Sequence, residues 1–216
     1  MSKKFKALFS VFMMLAMVFA FTSVAMAADN VVNTEGLTGT VTVVFTKNCS
    51  ESNNDGQRWD GLSAGDYLIP GVGAQTVSIA DLNGMVKGYE LGYGNPFGSK
   101  VSVFDAIYYL GQNNAKVVTL ETGWSNAYTD PETGISPLDG AYIRNVNNQE
   151  LESDYFVEDG IAYSIGTGFV IAVQKAGEAA PTFPSMYLSN VALEDGMTIY
   201  VDLGYYDYSW DASYGR

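Results

Sequence analysis

Short runs of β-branched and aromatic residues, each interrupted by Gly, Asn or Asp, recur along most of this chain. That texture restricts it to a fold built mainly from strands. Residues 40–45 set Val41, Val43 and Phe45 against Thr40 and Thr42, the two-residue period of a half-buried strand. Further strands are expected at residues 75–79, 85–91, 116–121, 142–146, 161–165 and 169–173. Residues 169–173 are apolar on both faces, as in a central strand. The clearest pattern comes late. Met197, Ile199, Val201 and Leu203 point one way and Thr198, Tyr200 and Asp202 the other, after the turn Glu194-Asp195-Gly196. Residues 47–61, 123–140 and 177–184 read as loops, and residues 204–216 as a Tyr-rich tail. The period changes once. Ser102 as N-cap and Asp105 three residues on form a capping box variant. Val103, Ile107 and Leu110 follow at helical spacing, and Gly111 is a natural stop. The expected class is α+β, β-rich and mostly antiparallel, with one short helix near residues 102–111.

The first 27 residues do not belong to that pattern. Lys3, Lys4 and Lys6 precede an apolar run over residues 7–24, and Ala25-Met26-Ala27 is a small-x-small site. This order is that of a secretory signal peptide cleaved after Ala27. A retained membrane anchor is the alternative, since the run is nearly long enough to span. Residues 28–216 then form one secreted domain, released or held at the cell surface, with no membrane span after signal removal.

Cleavage would leave 8 basic against 24 acidic residues, a formal charge of −16. Such a surface repels nucleic acid and anionic lipid. Cys49 is the only cysteine, which excludes an intramolecular disulfide, and it is expected to be a buried thiol. Histidine is absent, which removes histidine-based triads and most zinc sites. Gly61-Leu62-Ser63-Ala64-Gly65 has the form of a nucleophile elbow but no imidazole to serve it, so it reads as a glycine-rich turn. Glu51, Asn53 and Asp55 with Gly56 match the first half of a calcium loop, yet Leu62 stands where a bidentate acid is required. They remain candidate metal ligands, and another Ca²⁺ geometry would use Asp55 and Asp60. No cofactor is implied by a complete motif.

Three short pieces carry a family resemblance: residues 101–107, residues 140–148 with Tyr142-Ile143-Arg144-Asn145, and residues 191–200 with Glu194-Asp195-Gly196. Together they resemble the transcobalamin-like C-terminal domain of secreted bacterial proteins, over about residues 40–203. Asn148 stands where that family usually has Gly, and Met197 replaces its last acid. The family's Trp-x-Tyr-x-Val-Asn-Gly element has no Trp or Asn-Gly counterpart in residues 168–177. The resemblance implies a β-grasp-like fold and, more remotely, a role in presenting a corrinoid or other small ligand. Vitamin-binding relatives use a larger helical domain as well, which this chain lacks.

The expected function is therefore extracellular binding without catalysis. Trp59, Trp124, Tyr128 and Tyr142 are the candidate ligand-binding residues. Tyr205, Tyr206, Tyr208 and Trp210 are candidates for docking a partner, because amphipathic aromatics are enriched at interfaces. The alternative is a self-assembling structural or adhesive protein that forms homo-oligomers or fibres by strand addition. A glycan-binding module is the third reading.

Overall fold

The computed structural model describes residues 31–50, 59–87, 101–113, 118–125 and 140–213. The strands are β1 (Thr40–Lys47), β2 (Gln75–Ser78), β3 (Leu120–Ser125), β4 (Gly140–Val146), β5 (Ser153–Glu158), β6 (Ile161–Gln174) and β7 (Thr198–Asp211). Helix α1 spans Val103–Asn113, and short 3₁₀ turns lie at Ile79–Leu82 and Leu188–Asn190. Five strands form one mixed, curled sheet in the order β2-β1-β7-β6-β5, while β3 and β4 pair separately. Strand β1 runs parallel to β7, and every other pairing is antiparallel. The chain is thus β-rich α+β with a single α-helix among the described residues.

Alternation along β1 and β7 builds two layers. Val43 pairs with Ile199 and Phe45 with Val201, and all four are fully buried on one face. That face packs against Val103, Phe104, Ile107 and Leu110 of α1 and Ala141, Ile143 and Val146 of β4. The other face of the same strands holds a smaller cluster of Val44, Cys49, Trp59, Ala172 and Tyr200. Cys49 is fully buried there, and its thiol faces the Lys47 carbonyl at 3.4 Å.

Two buried carboxylates fix the ends of elements in these layers. Asp105 accepts from the Ser102 amide and from Ser102 Oγ, both at 2.7 Å, which closes the capping box at the start of α1. Lys87, 4 % exposed, feels the Asp105 charge; burial lowers its pKa and Asp105 opposes that shift. Asp202 on β7 is fully buried. It accepts from Thr46 Oγ1 at 2.6 Å, Ser50 Oγ at 2.5 Å, the Ser50 amide at 2.9 Å and the Cys49 amide at 3.2 Å. This cage ties the turn after β1 to the adjacent strand.

Several expectations need correction. Gly111 does not end α1, which runs on to Asn113. A Cβ at Gly111 would lie 2.7 Å from Leu120 Cδ1, so the glycine serves close approach rather than a stop. Gly111→Ala is expected to lose about 1 kcal/mol despite its better helix propensity, because overpacking outweighs that gain. A raised midpoint in thermal denaturation would contradict this.

Residues 161–165 and 169–173 are one strand, not two. The intervening Gly166 and Gly168 look like turn residues but lie within the ladder, opposite Tyr206 and Gly204. A Cβ on Gly166 would strike the Glu152 carbonyl, and one on Gly168 would press on the Tyr206 ring. Strand β5 was not expected at all. A two-residue turn joins it to β6, with Asp159 at φ 49° and Gly160 at φ 80°, as a hairpin of matching twist requires. Residues 204–211, expected as a tail, continue β7. The expected strand at 85–91 is described only to residue 87, where Val86 bridges Val31.

Candidate functional site

Two surfaces stand out, and both lie on the β5-β6-β7 side of the molecule. The first is an open groove of about 390 Å³. Tyr142 of β4, Phe169 of β6, Phe183, Met186 and Tyr187 of the segment after β6, and Tyr208 of β7 line it. A second hollow of about 300 Å³ continues from it across Pro184 and Met186 toward Val173, Val191 and Met197.

The groove wall is pinned. Thr182 and Val173 exchange both backbone hydrogen bonds, at 2.8 and 2.9 Å, which fixes the segment to the free edge of β6. Buried Ser189 takes the Ala141 amide at 2.9 Å and so fixes the 3₁₀ turn to β4. A Cβ on Gly140 would lie 2.7 Å from Ser189 Oγ, so glycine permits that approach. The Tyr142 and Tyr187 rings then meet at 5.8 Å. Phe183 is 44 % exposed and Met186 36 %, so the wall shows large apolar side chains to solvent. The Lys175–Glu194 ion pair, 2.6 Å, lies at the far end. That contact raises the Lys175 pKa, through the Glu194 hydrogen bond first and its charge second.

The second surface is an arm formed by β5 and the halves of β6 and β7 that pair beside it. Its two faces differ. On one, Tyr206, Tyr208 and Trp210 stand opposite the small residues Gly166, Ser164 and Ala162, with Tyr155 and Val157 beyond. Trp210 and Tyr155 meet at 6.0 Å and Tyr206 stacks on Tyr208 at 5.5 Å, while Ala162 is fully buried. The rings roof over the small residues of their own sheet. On the other face, Phe156 stacks on Tyr163 at 4.9 Å, between Ile161 and Ile165. Asp154 and Glu158 border that strip on β5, and Asp207 and Asp211 border it on β7.

The expected site residues fall in different places. Tyr142 and Tyr208 come together in the groove. Tyr205, Tyr206 and Trp210 lie on the arm as strand residues, with Tyr205 half exposed. Trp59 is not displayed on a loop; it is 5 % exposed and packs on Tyr200 at 4.6 Å. Trp124 is a half-buried β3 residue packed against the main core, not a loop residue. Tyr128, Glu51, Asn53 and Asp55 lie outside the described residues. Among the described residues no group of three or more His, Cys, Asp or Glu is placed to hold a metal ion. Ser63 Oγ donates to Asp66 at 2.6 Å, as a turn serine does. Phe169, Phe183, Met186 and Tyr187 were not expected at a site. The one sequence signal for Phe183, Met186 and Tyr187 is the cluster of large apolar residues in the Pro-containing stretch 181–187.

Burial, and to a lesser degree Asp60 and Tyr67, raises the Tyr200 pKa above 10.0. The neutral phenol is thus the favoured folded form, and its contribution to stability is present below pH about 10 and lost as pH rises through the folded-state value. Thermal midpoints should fall less steeply above pH 10 in Tyr200→Phe than in the parent chain. Equal slopes would assign the alkaline loss to other groups.

No helix among the described residues is long and apolar enough to cross a membrane. No family model, curated protein or solved structure matches the chain.

Proposed function

We propose that this is an exported, non-catalytic binding protein whose ligand site is the groove of Tyr142, Phe169, Phe183, Met186, Tyr187 and Tyr208. The observation that carries this reading is a solvent-open cavity walled by aromatic and Met side chains on a rigidly tied segment. Binding pockets are concave, largely apolar and mostly pre-formed, and about 390 Å³ lies at the small end of their range. A groove of that size takes one ring face or one edge of a ligand. It suits a protein that holds a small molecule against a second component, as the small domain of transcobalamin does. The lack of histidine supports binding over proton-transfer chemistry. The signal-like residues 1–27 and the acidic composition support export. The finer fold assignment, a β-grasp-like sheet, belongs to the same proposal. Its support is the parallel pairing of β1 with β7 mid-sheet and the packing of α1 against them.

Fluorescence titration with the neutral dye phenylnaphthylamine, and equilibrium dialysis against cobalamin, test this reading. At least one probe is expected to bind saturably. Phe183→Ala or Tyr187→Ala should weaken it about tenfold, as for central aromatic contacts, with circular dichroism unchanged. No saturable uptake of either probe would end the proposal.

A further inference from the structure

The acid-bordered face of the arm is not part of the groove, and none of its residues lines it. Side chains alternate along a strand, so Asp154, Phe156 and Glu158 of β5 share this face with Ile165, Tyr163 and Ile161 of β6 and Asp207, Ser209 and Asp211 of β7. Apolar residues occupy its middle and carboxylates its four corners. The corners are four positions apart along each strand, about 13 Å, and two strand spacings apart across the sheet, about 10 Å. All four acids are exposed. Hydrogen bonds from Ser213 hold the Asp211 carboxyl below its ordinary pKa, so it stays ionised.

Among the described residues, none of these four acids forms an ion pair. Between Arg144 and Arg216 the chain contains eleven acids and one basic residue, Lys175. Lys175 is bonded to Glu194. The face is therefore an apolar strip inside a negative frame. A second copy of the chain would bring the same sign of charge to it, which opposes self-pairing here. The complement is an apolar stripe flanked by Lys or Arg, and the 10 Å width between the carboxylate rows matches the diameter of a helix.

We propose that this face of the arm is a docking surface for a basic amphipathic segment of a partner protein. The segment's apolar stripe covers Phe156, Tyr163, Ile161 and Ile165. Its flanking cations meet Asp154 and Glu158 on one side and Asp207 and Asp211 on the other. This surface does not depend on the groove.

The test uses the full exported chain and a fluorescently labelled 18-residue Leu/Lys amphipathic peptide, read by anisotropy at low and physiological salt. Saturable binding that weakens with salt is expected. The variant Asp154→Asn/Glu158→Gln/Asp207→Asn/Asp211→Asn should lose about tenfold or more in affinity. Neutralising Glu35, Asp81, Glu121 and Glu178, the same number of charges elsewhere, should cost much less. Tyr187→Ala should leave peptide binding intact, which separates this result from failure of the groove reading. The proposal is overturned by no binding, by equal loss in both charge variants, or by equal binding of a sequence-scrambled peptide. It is also overturned if the arm instead mediates self-association in sedimentation, or binds a neutral glycan with the peptide inert.

Discussion

Asp202→Ala is expected to destabilise the protein by about 3–5 kcal/mol, the range for removing one partner from a buried, charged hydrogen-bond network. The carboxylate accepts from the Thr46 and Ser50 hydroxyls and from the Cys49 and Ser50 amides. Alanine would leave these donors facing a void beneath the second layer. Asp202→Asn keeps one acceptor oxygen and should cost less than alanine. Urea denaturation followed by circular dichroism measures both, with the slope against urea checking that the unfolded state is unchanged. A loss below about 1 kcal/mol for alanine would mean that water replaces the carboxylate, and the cage would then not tie β1 to β7.

Trp59→Ala should cost a similar amount, about 3–5 kcal/mol, because it empties a large core site. The indole packs on Tyr200 and shares its cluster with Val44, Cys49 and Ala172. The measurement also decides between two roles for this residue. A tryptophan displayed for a ligand would change stability by about 0.5 kcal/mol or less when truncated. A core tryptophan would not. The same denaturation series, with phenylnaphthylamine binding as a second readout, separates them: loss of stability with the groove still competent fits the packing seen here.

The strands that bury one or both faces were legible, since burial imposes period two on composition. β1 and the first half of β7 follow that period, and α1 announces itself through Ser102 and Asp105. The arm was obscure for a physical reason. β5 is exposed along its whole length, so its sequence Ser-Asp-Tyr-Phe-Val-Glu has no core to answer to. Gly166 and Gly168 suggested a break because glycine in sequence looks the same whether it turns the chain or admits a neighbouring carbonyl. The Asp159-Gly160 pair did carry a hairpin signal. Of the site, Tyr142 and Tyr208 could be named, since exposed tyrosines are natural binding candidates. Their partners Phe183, Met186 and Tyr187 sit in an irregular stretch with no period. Only the Thr182–Val173 backbone pairing turns that stretch into a wall.

The place of β7 between β1 and β6 has a consequence for biogenesis. Thr46 and Asp202, which bond across that junction, are 156 residues apart in sequence. The polypeptide therefore cannot complete its central ladder until Thr198–Asp211 has emerged, and such distant pairing is slow. If the chain is exported, as proposed above, in an extended state, this delay would favour its passage, since premature folding would block it. The same wiring carries a hazard: a truncated product lacking its last strand leaves two inner edges open to aggregation.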